Sequence, residues 1–145
     1  MLKLSTKGRY GLRAMIDLAK SYDGNPVPIM MSDIAARQEL SRKYLHALLT
    51  PLKNAGLVRS TRGAKGGYFL ARPPAEITIK EILAALEGEL NIVDCIADGA
   101  NCSRASNCLA RGVWKDLNDA IARLLDNVTL HSLVCDGSLP KEMMS

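Results

Sequence analysis

The stretch from Ser32 to Arg72 leaves this chain few ways to fold. Ser32 is placed to cap a helix over residues 33–38, because its hydroxyl can accept a backbone N–H that the first helical turn leaves without a partner. Glu39 and Leu40 then make a tight turn, and Ser41 caps a second helix. In that helix Leu45, Leu48, Leu49 and Leu52 recur at the spacing of one buried face. Arg42, Lys43, Tyr44 and His46 fall off the stripe, near the N-terminal end that a recognition helix presents to base edges. Asn54-Ala55-Gly56 stops the helix at a residue free to take the left-handed cap conformation. Two short strands over 57–60 and 67–71 follow, joined by Thr61-Arg62-Gly63-Ala64-Lys65-Gly66. The glycines suit a turn, and Arg62 and Lys65 suit phosphates. Helix, turn, helix and hairpin together predict a winged helix-turn-helix DNA-binding domain over residues 1–75, within a mainly α fold. The run Gly63-Ala64-Lys65-Gly66-Gly67 is not a phosphate-binding loop, since no Gly-Lys-Ser/Thr follows at the required spacing.

Charge divides the chain in the same place. The net charge is +4 over 145 residues. Residues 1–75 carry 13 Lys/Arg against 4 Asp/Glu, a balance of +9, whereas residues 76–145 carry 6 against 11, a balance of −5. A basic surface attracts a polyanion by Coulomb force and by counterion release, so the first half is the one expected to face double-stranded DNA. No apolar run approaches membrane-spanning length and the N-terminus lacks a signal-peptide core, which predicts a cytoplasmic protein without a membrane partner.

Before the helix-turn-helix, residues 5–22 read as a helix with Leu12, Met15, Ile16 and Ala19 on its apolar face. Lys7, Arg9 and Arg13 lie near its start, and Gly24-Asn25-Pro26 ends it. Val27-Pro28-Ile29 is a short extended lead. Beyond the hairpin, Pro73-Pro74 punctuates the chain, and Thr78 with Glu81 forms a capping box for a helix that buries Ile79, Ile82, Leu83 and Leu86 and closes at Gly88. Further on, Val113, Leu117, Ile121, Leu124, Leu125 and Val128 recur at helical spacing over residues 113–127. A partner copy would cover so long an apolar stripe, and a two-fold dimer would also place two recognition helices on two half-sites. Packing against the helix over 5–22 is the intramolecular alternative. The segment 136–145 reads as a flexible tail.

Three cysteines, Cys95, Cys102 and Cys108, sit in a polar, glycine-containing segment rather than on a periodic apolar face. Such a loop can fold three thiolates around one soft metal centre, zinc or an iron–sulfur cluster. Unrelated reduced thiols, or a redox-active pair with a spare, fit the spacing equally well. Cys135, near Leu130, Leu133 and Val134, is expected in the core. No Ser/His/Asp set or pair of catalytic carboxylates points to an enzyme.

Several of these residues carry a resemblance. The opening Leu4-Ser5-Thr6-Lys7-Gly8-Arg9-Tyr10-Gly11-Leu12, the segment from Tyr44-Leu45 to Gly56-Leu57-Val58, and Arg62-Gly63-Ala64-Lys65-Gly66-Gly67-Tyr68 resemble the Rrf-two (BadM-like) family of regulators. The cysteine segment, with Trp114-Lys115-Asp116-Leu117 and Asn127-Val128-Thr129-Leu130, is most similar to the family's iron–sulfur cluster regulators. The likeness covers roughly residues 1–135. It implies a homodimeric winged-helix transcription factor that binds promoter DNA and dimerises through the long helix. It also implies that residues 76–135 hold a cluster on Cys95, Cys102 and Cys108, of the 2Fe–2S type ahead of 4Fe–4S, which sets DNA affinity.

The chain departs from that pattern at three positions. Iron–sulfur regulators of the family place a histidine three residues after the third cysteine, where this chain has Arg111. Nitric-oxide-sensing relatives use an aspartate just before the N-terminal tyrosine, where this chain has Arg9. Protonated arginine offers no lone pair to a metal, so the fourth ligand stays open among Asp94, Asn107, His131, Cys135, a small thiol and water. His46 stands where the iron–sulfur regulators have a cytosine-reading glutamate, which implies a different operator. In the resulting scheme Ser41, Arg42, Lys43, Tyr44 and His46 meet the major groove, Arg62 and Lys65 reach phosphate or the minor groove, and Lys7 and Arg9 add backbone contacts. The alternatives are a cluster-free regulator governed by thiol oxidation or a protein partner, and a small iron–sulfur electron carrier.

Overall fold

The structure, a computed structural model, describes residues 4–91 and 109–137. Among them the element order is α1 (Thr6–Lys20), α2 (Met31–Gln38), α3 (Arg42–Asn54), β1 (Val58–Thr61), β2 (Gly67–Leu70), a 3-10 turn (Pro74–Glu76), α4 (Ile79–Glu87), α5 (Leu109–Asn127) and α6 (Leu130–Asp136). Cys95, Cys102 and Cys108, together with Asp94, Asn107 and the tail beyond Gly137, lie outside the described residues.

The first helix starts where Ser5 caps it, its hydroxyl accepting from the Gly8 N–H at 3.4 Å. Its buried face is Gly8, Gly11, Ala14, Met15, Leu18 and Ala19, while Leu12 and Ile16 stand at the edge, half-buried. The face is therefore turned from the one the large apolar residues mark. Small residues set it because α4 comes so close: a Cβ on Gly11 would lie 2.3 Å from Leu86 Cδ1.

Met30, not Ser32, occupies the N-cap of α2, and no side chain caps it. The helix begins early because Ile29 is already tied to the hairpin, exchanging two backbone hydrogen bonds of 2.8 Å with Tyr68. Gly67 is forced at this junction, as a Cβ there would lie 2.3 Å from the Ile29 carbonyl oxygen. Glu39 makes the turn in the left-handed region (φ 55°), and Ser41 caps α3 by accepting from the Tyr44 N–H at 3.0 Å. Leu45, Leu48, Leu49 and Leu52 are all fully buried. The strands are antiparallel, with Val58 opposite Leu70 and Thr61 opposite Gly67, one residue away from the sequence-based bounds. Three helices and this hairpin make the winged helix-turn-helix.

The capping box of α4 is present: Glu81 N–H donates to Thr78 Oγ1 at 3.2 Å, and Thr78 N–H donates to Glu81 Oε2 at 3.0 Å. The long helix α5 starts at Leu109, a turn before its apolar repeat, and packs on α4 rather than on α1. A short bridge explains the path: Ile79 N–H donates to Val128 O and Leu130 N–H to Ile77 O, at 2.9 and 3.0 Å. This delivers α6 to α1, the place the long helix would otherwise take. Leu130 is fully buried there, but Cys135 is exposed and not core. Leu133 and Val134 take the half-buried positions of this short helix, which leaves Cys135 on its outer side.

Asp17, on the buried face of α1, holds α2 in place. It accepts from Arg37 Nε at 3.0 Å and Nη2 at 2.7 Å, and from Gln38 Nε2 at 2.9 Å. Burial pushes the Asp17 pKa up, but the Arg37 and Gln38 hydrogen bonds outweigh it and leave the pKa below the ordinary 3.8. A carboxyl whose pKa is lowered by folding stabilises the protein above its unfolded pKa, and that stabilisation is lost as pH falls through the folded value. Asp17→Asn is accordingly expected to cost about 1–3 kcal/mol at pH 7. In urea unfolding at stepped pH, the gap between variant and wild type should narrow below pH 3.8.

Candidate nucleic-acid interface

Helix α3 turns its outer face to solvent over two turns. Arg42, Lys43, His46, Ala47 and Thr50 are exposed there, and Ser41 stands exposed at the cap. Thr50 Oγ1 donates to the His46 carbonyl at 2.8 Å, so its hydroxyl is already engaged. Tyr44 is placed differently from its neighbours. Its half-buried ring packs edge-on to Tyr10, with centroids 6.2 Å apart and planes at 83°, and Arg13 lies over the Tyr10 ring at 5.1 Å. The tyrosine thus braces α3 against α1, a role the sequence pattern did not signal. At the other end Lys53 Nζ donates to Ser60 Oγ at 2.8 Å and ties α3 to β1.

The wing tip is exposed from Thr61 to Lys65, closed by a Gly66 N–H to Gly63 O hydrogen bond of 3.0 Å. Among the described residues neither Arg62 nor Lys65 is in an ion pair; the two recorded pairs are Arg37–Asp17 and Arg72–Glu81. Their charge is available to an outside anion. Lys7 and Arg9 are exposed on the first turn of α1. Helix α3, the wing and the start of α1 supply six exposed cations: Lys7, Arg9, Arg42, Lys43, Arg62 and Lys65. That array can engage a polyphosphate backbone, while His46 can donate to or accept from a base edge.

The second half supplies a different surface. Leu109, Val113, Trp114 and Leu117 on α5 are 94%, 60%, 40% and 47% exposed, and no residue of that helix is fully buried. Spacings of four place Leu109, Val113 and Leu117 on one side. An exposed apolar stripe of this kind is a candidate contact surface. Arg111 is half-buried in the first turn. The approach to the cysteine segment is pinned by Asn118, whose Nδ2 donates to Asn91 Oδ1 at 3.3 Å. His131 and Cys135 face each other on α6, with Sγ 3.7 and 3.6 Å from the two ring nitrogens. They line a cleft of about 330 Å³ with Lys20, Tyr22 and Pro74, at the C-terminal end of α1. The chain enters the cysteine segment from α4 at the other end of α1, where Glu87 meets Ser5 and Gly8. Fifteen helical residues separate those ends, about 20 Å at the usual rise.

Comparison with known proteins agrees with this architecture. A family model described as Rrf2, iron-dependent transcriptional regulator, matches residues 4–136. The HTH-type transcriptional regulator IscR of Vibrio parahaemolyticus is 38% identical over 138 residues, covering 95% of this chain and 80% of that protein. Among solved structures, CymR, the global cysteine regulator of B. subtilis, is 43% identical with a TM-score of 0.76, covering 92% of this chain and 97% of that one. IscR of T. potens is 39% identical with a TM-score of 0.74, covering 94% and 89%. No helix among the described residues is long and apolar enough to cross a membrane.

The wing can be tested on a mixed-sequence DNA duplex without knowledge of an operator. Each phosphate contact contributes about 0.9 to the slope of log K against log salt. Replacing Arg62 and Lys65 together with alanine is expected to flatten that slope by about 1.8. An unchanged slope, measured by fluorescence anisotropy across a salt series, would remove the wing from the interface.

Proposed function

The chain belongs to the Rrf2 family of transcriptional regulators, and from that premise we propose that it acts as a homodimer whose affinity for promoter DNA is set by an iron–sulfur cluster on Cys95, Cys102 and Cys108. It is a regulator, not an enzyme. One observation carries the proposal: Cys108 directly precedes Leu109, the first described residue of the helix that bears the exposed apolar stripe. A group bound by the three cysteines would abut the surface through which two copies meet. In this reading Arg42, Lys43 and His46 enter the major groove from a helix capped by Ser41, with Tyr44 at its edge. Arg62 and Lys65 of the wing and Lys7 and Arg9 of α1 hold the backbone.

The donor set fits a cluster in its chemistry. Three thiolates suit iron–sulfur iron, and one position is left for a weaker ligand. Arg9 and Arg111 have no lone pair to fill it. His131 and Cys135, which line the cleft at the C-terminal end of α1, stand with Asp94, Asn107 and a small exogenous ligand as candidates for it. When bound, a cluster with one weak ligand supplies a centre that assembles and decays with iron, oxygen or nitric oxide. The likeness to CymR, a cysteine regulator, favours a second reading, in which the same dimer is cluster-free and answers to thiol oxidation or a partner protein.

An ultraviolet–visible spectrum with iron and sulfide analysis, on protein purified without oxygen, separates the two. The expected outcome is visible charge-transfer absorption that disappears in Cys95→Ala, Cys102→Ala and Cys108→Ala. A colourless protein that stays iron-free after reconstitution would transfer the case to the second reading. Independently, Val113→Glu combined with Leu117→Glu is expected to halve the mass found by light scattering, and to weaken DNA binding at least tenfold. A variant that stays dimeric would move the interface off α5.

A further inference from the structure

A single carboxylate joins the end of α4 to the start of α1. Glu87, the last residue of α4, accepts from the Ser5 N–H at 3.0 Å, from the Gly8 N–H at 3.0 Å and from the Ser5 hydroxyl. Its partners are 79–82 residues away in the chain. A carboxylate at this position satisfies backbone donors that the first turn of a helix leaves open, and it complements the positive end of the helix dipole. Ser5 is still the cap of α1, so the first turn is held twice, once from within and once from α4. The fit is close: a Cβ on Gly8 would lie 2.4 Å from Glu87 Oε1.

Lys7 and Arg9, exposed, flank the Gly8 amide that Glu87 holds. We infer that Glu87 is the positioning residue that sets Lys7 and Arg9 against the DNA backbone. The carboxylate fixes the first turn of α1 from outside the helix, so the two cations on that turn keep one orientation relative to α3, which is held by its own buried leucines. The inference rests on the reading of Lys7 and Arg9 as backbone contacts.

The test uses the full chain, wild type and Glu87→Ala, on a duplex selected from a randomised library by the wild-type protein. Affinity is measured across a salt series. Removing the acceptor is expected to flatten the salt slope by about 1.8, the equivalent of two phosphate contacts. Glu87→Gln, which keeps an acceptor oxygen, is expected to restore most of it. Should the alanine variant fail to fold, Glu87→Asp carries the same test, because it withdraws the carboxylate by one methylene. A folded alanine variant with the wild-type slope overturns the inference. Lys7→Ala combined with Arg9→Ala tests the reading beneath it: a wild-type slope in that variant removes both cations from the interface, and the inference with them.

Discussion

The close approach of α4 to α1 is the contact on which the remaining architecture depends. Gly8 and Gly11 leave no side chain between the two helices, so Leu86 and Glu87 lie directly against the α1 backbone. Leu83 and Leu86 then join Met15, Leu18 and the α3 leucines in one buried cluster, which also takes in Val128 and Leu130 from the far end of the chain. Burying a leucine-sized side chain contributes about 1.5–3 kcal/mol, so a helix with four such residues on one face is not easily displaced. The winged helix and the elements after it share this core.

Polar contacts of two kinds bound the helix-turn-helix. Asp17, Arg37 and Gln38 fix α2 to α1 with three short hydrogen bonds, and one of the partners is buried. Loss of either side would leave a costly carboxylate or an idle guanidinium. The Arg72–Glu81 pair, which joins the chain after the wing to the first turn of α4, is more exposed. Solvent screens it, so it contributes little. Rigidity around α2 and α3 would suit a reader whose helix must present base-reading side chains in fixed register.

Much of this was legible in the sequence because the signals were local. A leucine stripe, a serine cap, a glycine stop and a glycine-rich turn each act within a few residues, and α3, the hairpin and the α4 capping box stand where those signals put them. The misplacements arose where distant residues decide. Met30 displaces Ser32 from the cap because Tyr68 holds Ile29. The face of α1 turns because α4 needs its glycines, which an apolar-periodicity count passes over. Cys135 is outside because α6 is short and offers Leu130, Leu133 and Val134 first. Tyr44 was legible as a residue near the groove but not as a brace, since Tyr10 lies 34 positions earlier. Glu87 gave no local signal, for a glutamate before a glycine at a helix end reads as ordinary surface.

The exposed stripe on α5 bears on how such a regulator could switch at all. Association of two copies costs on the order of 4–15 kcal/mol in lost freedom. Leu109, Val113, Trp114 and Leu117 from each copy would offset this with about 1.5–3 kcal/mol per side chain buried. Over the eight side chains this comes to about 12–24 kcal/mol, enough to offset the cost over most of its range, and it would place the determinants of association on the first three turns of the helix, next to Cys108. A change in that neighbourhood need not dissociate the copies to alter DNA affinity. In the proposed dimer two recognition helices would match half-sites about one DNA turn, roughly 34 Å, apart, and a small change in how the α5 helices cross would be carried to them through the packed body of α4 and α1.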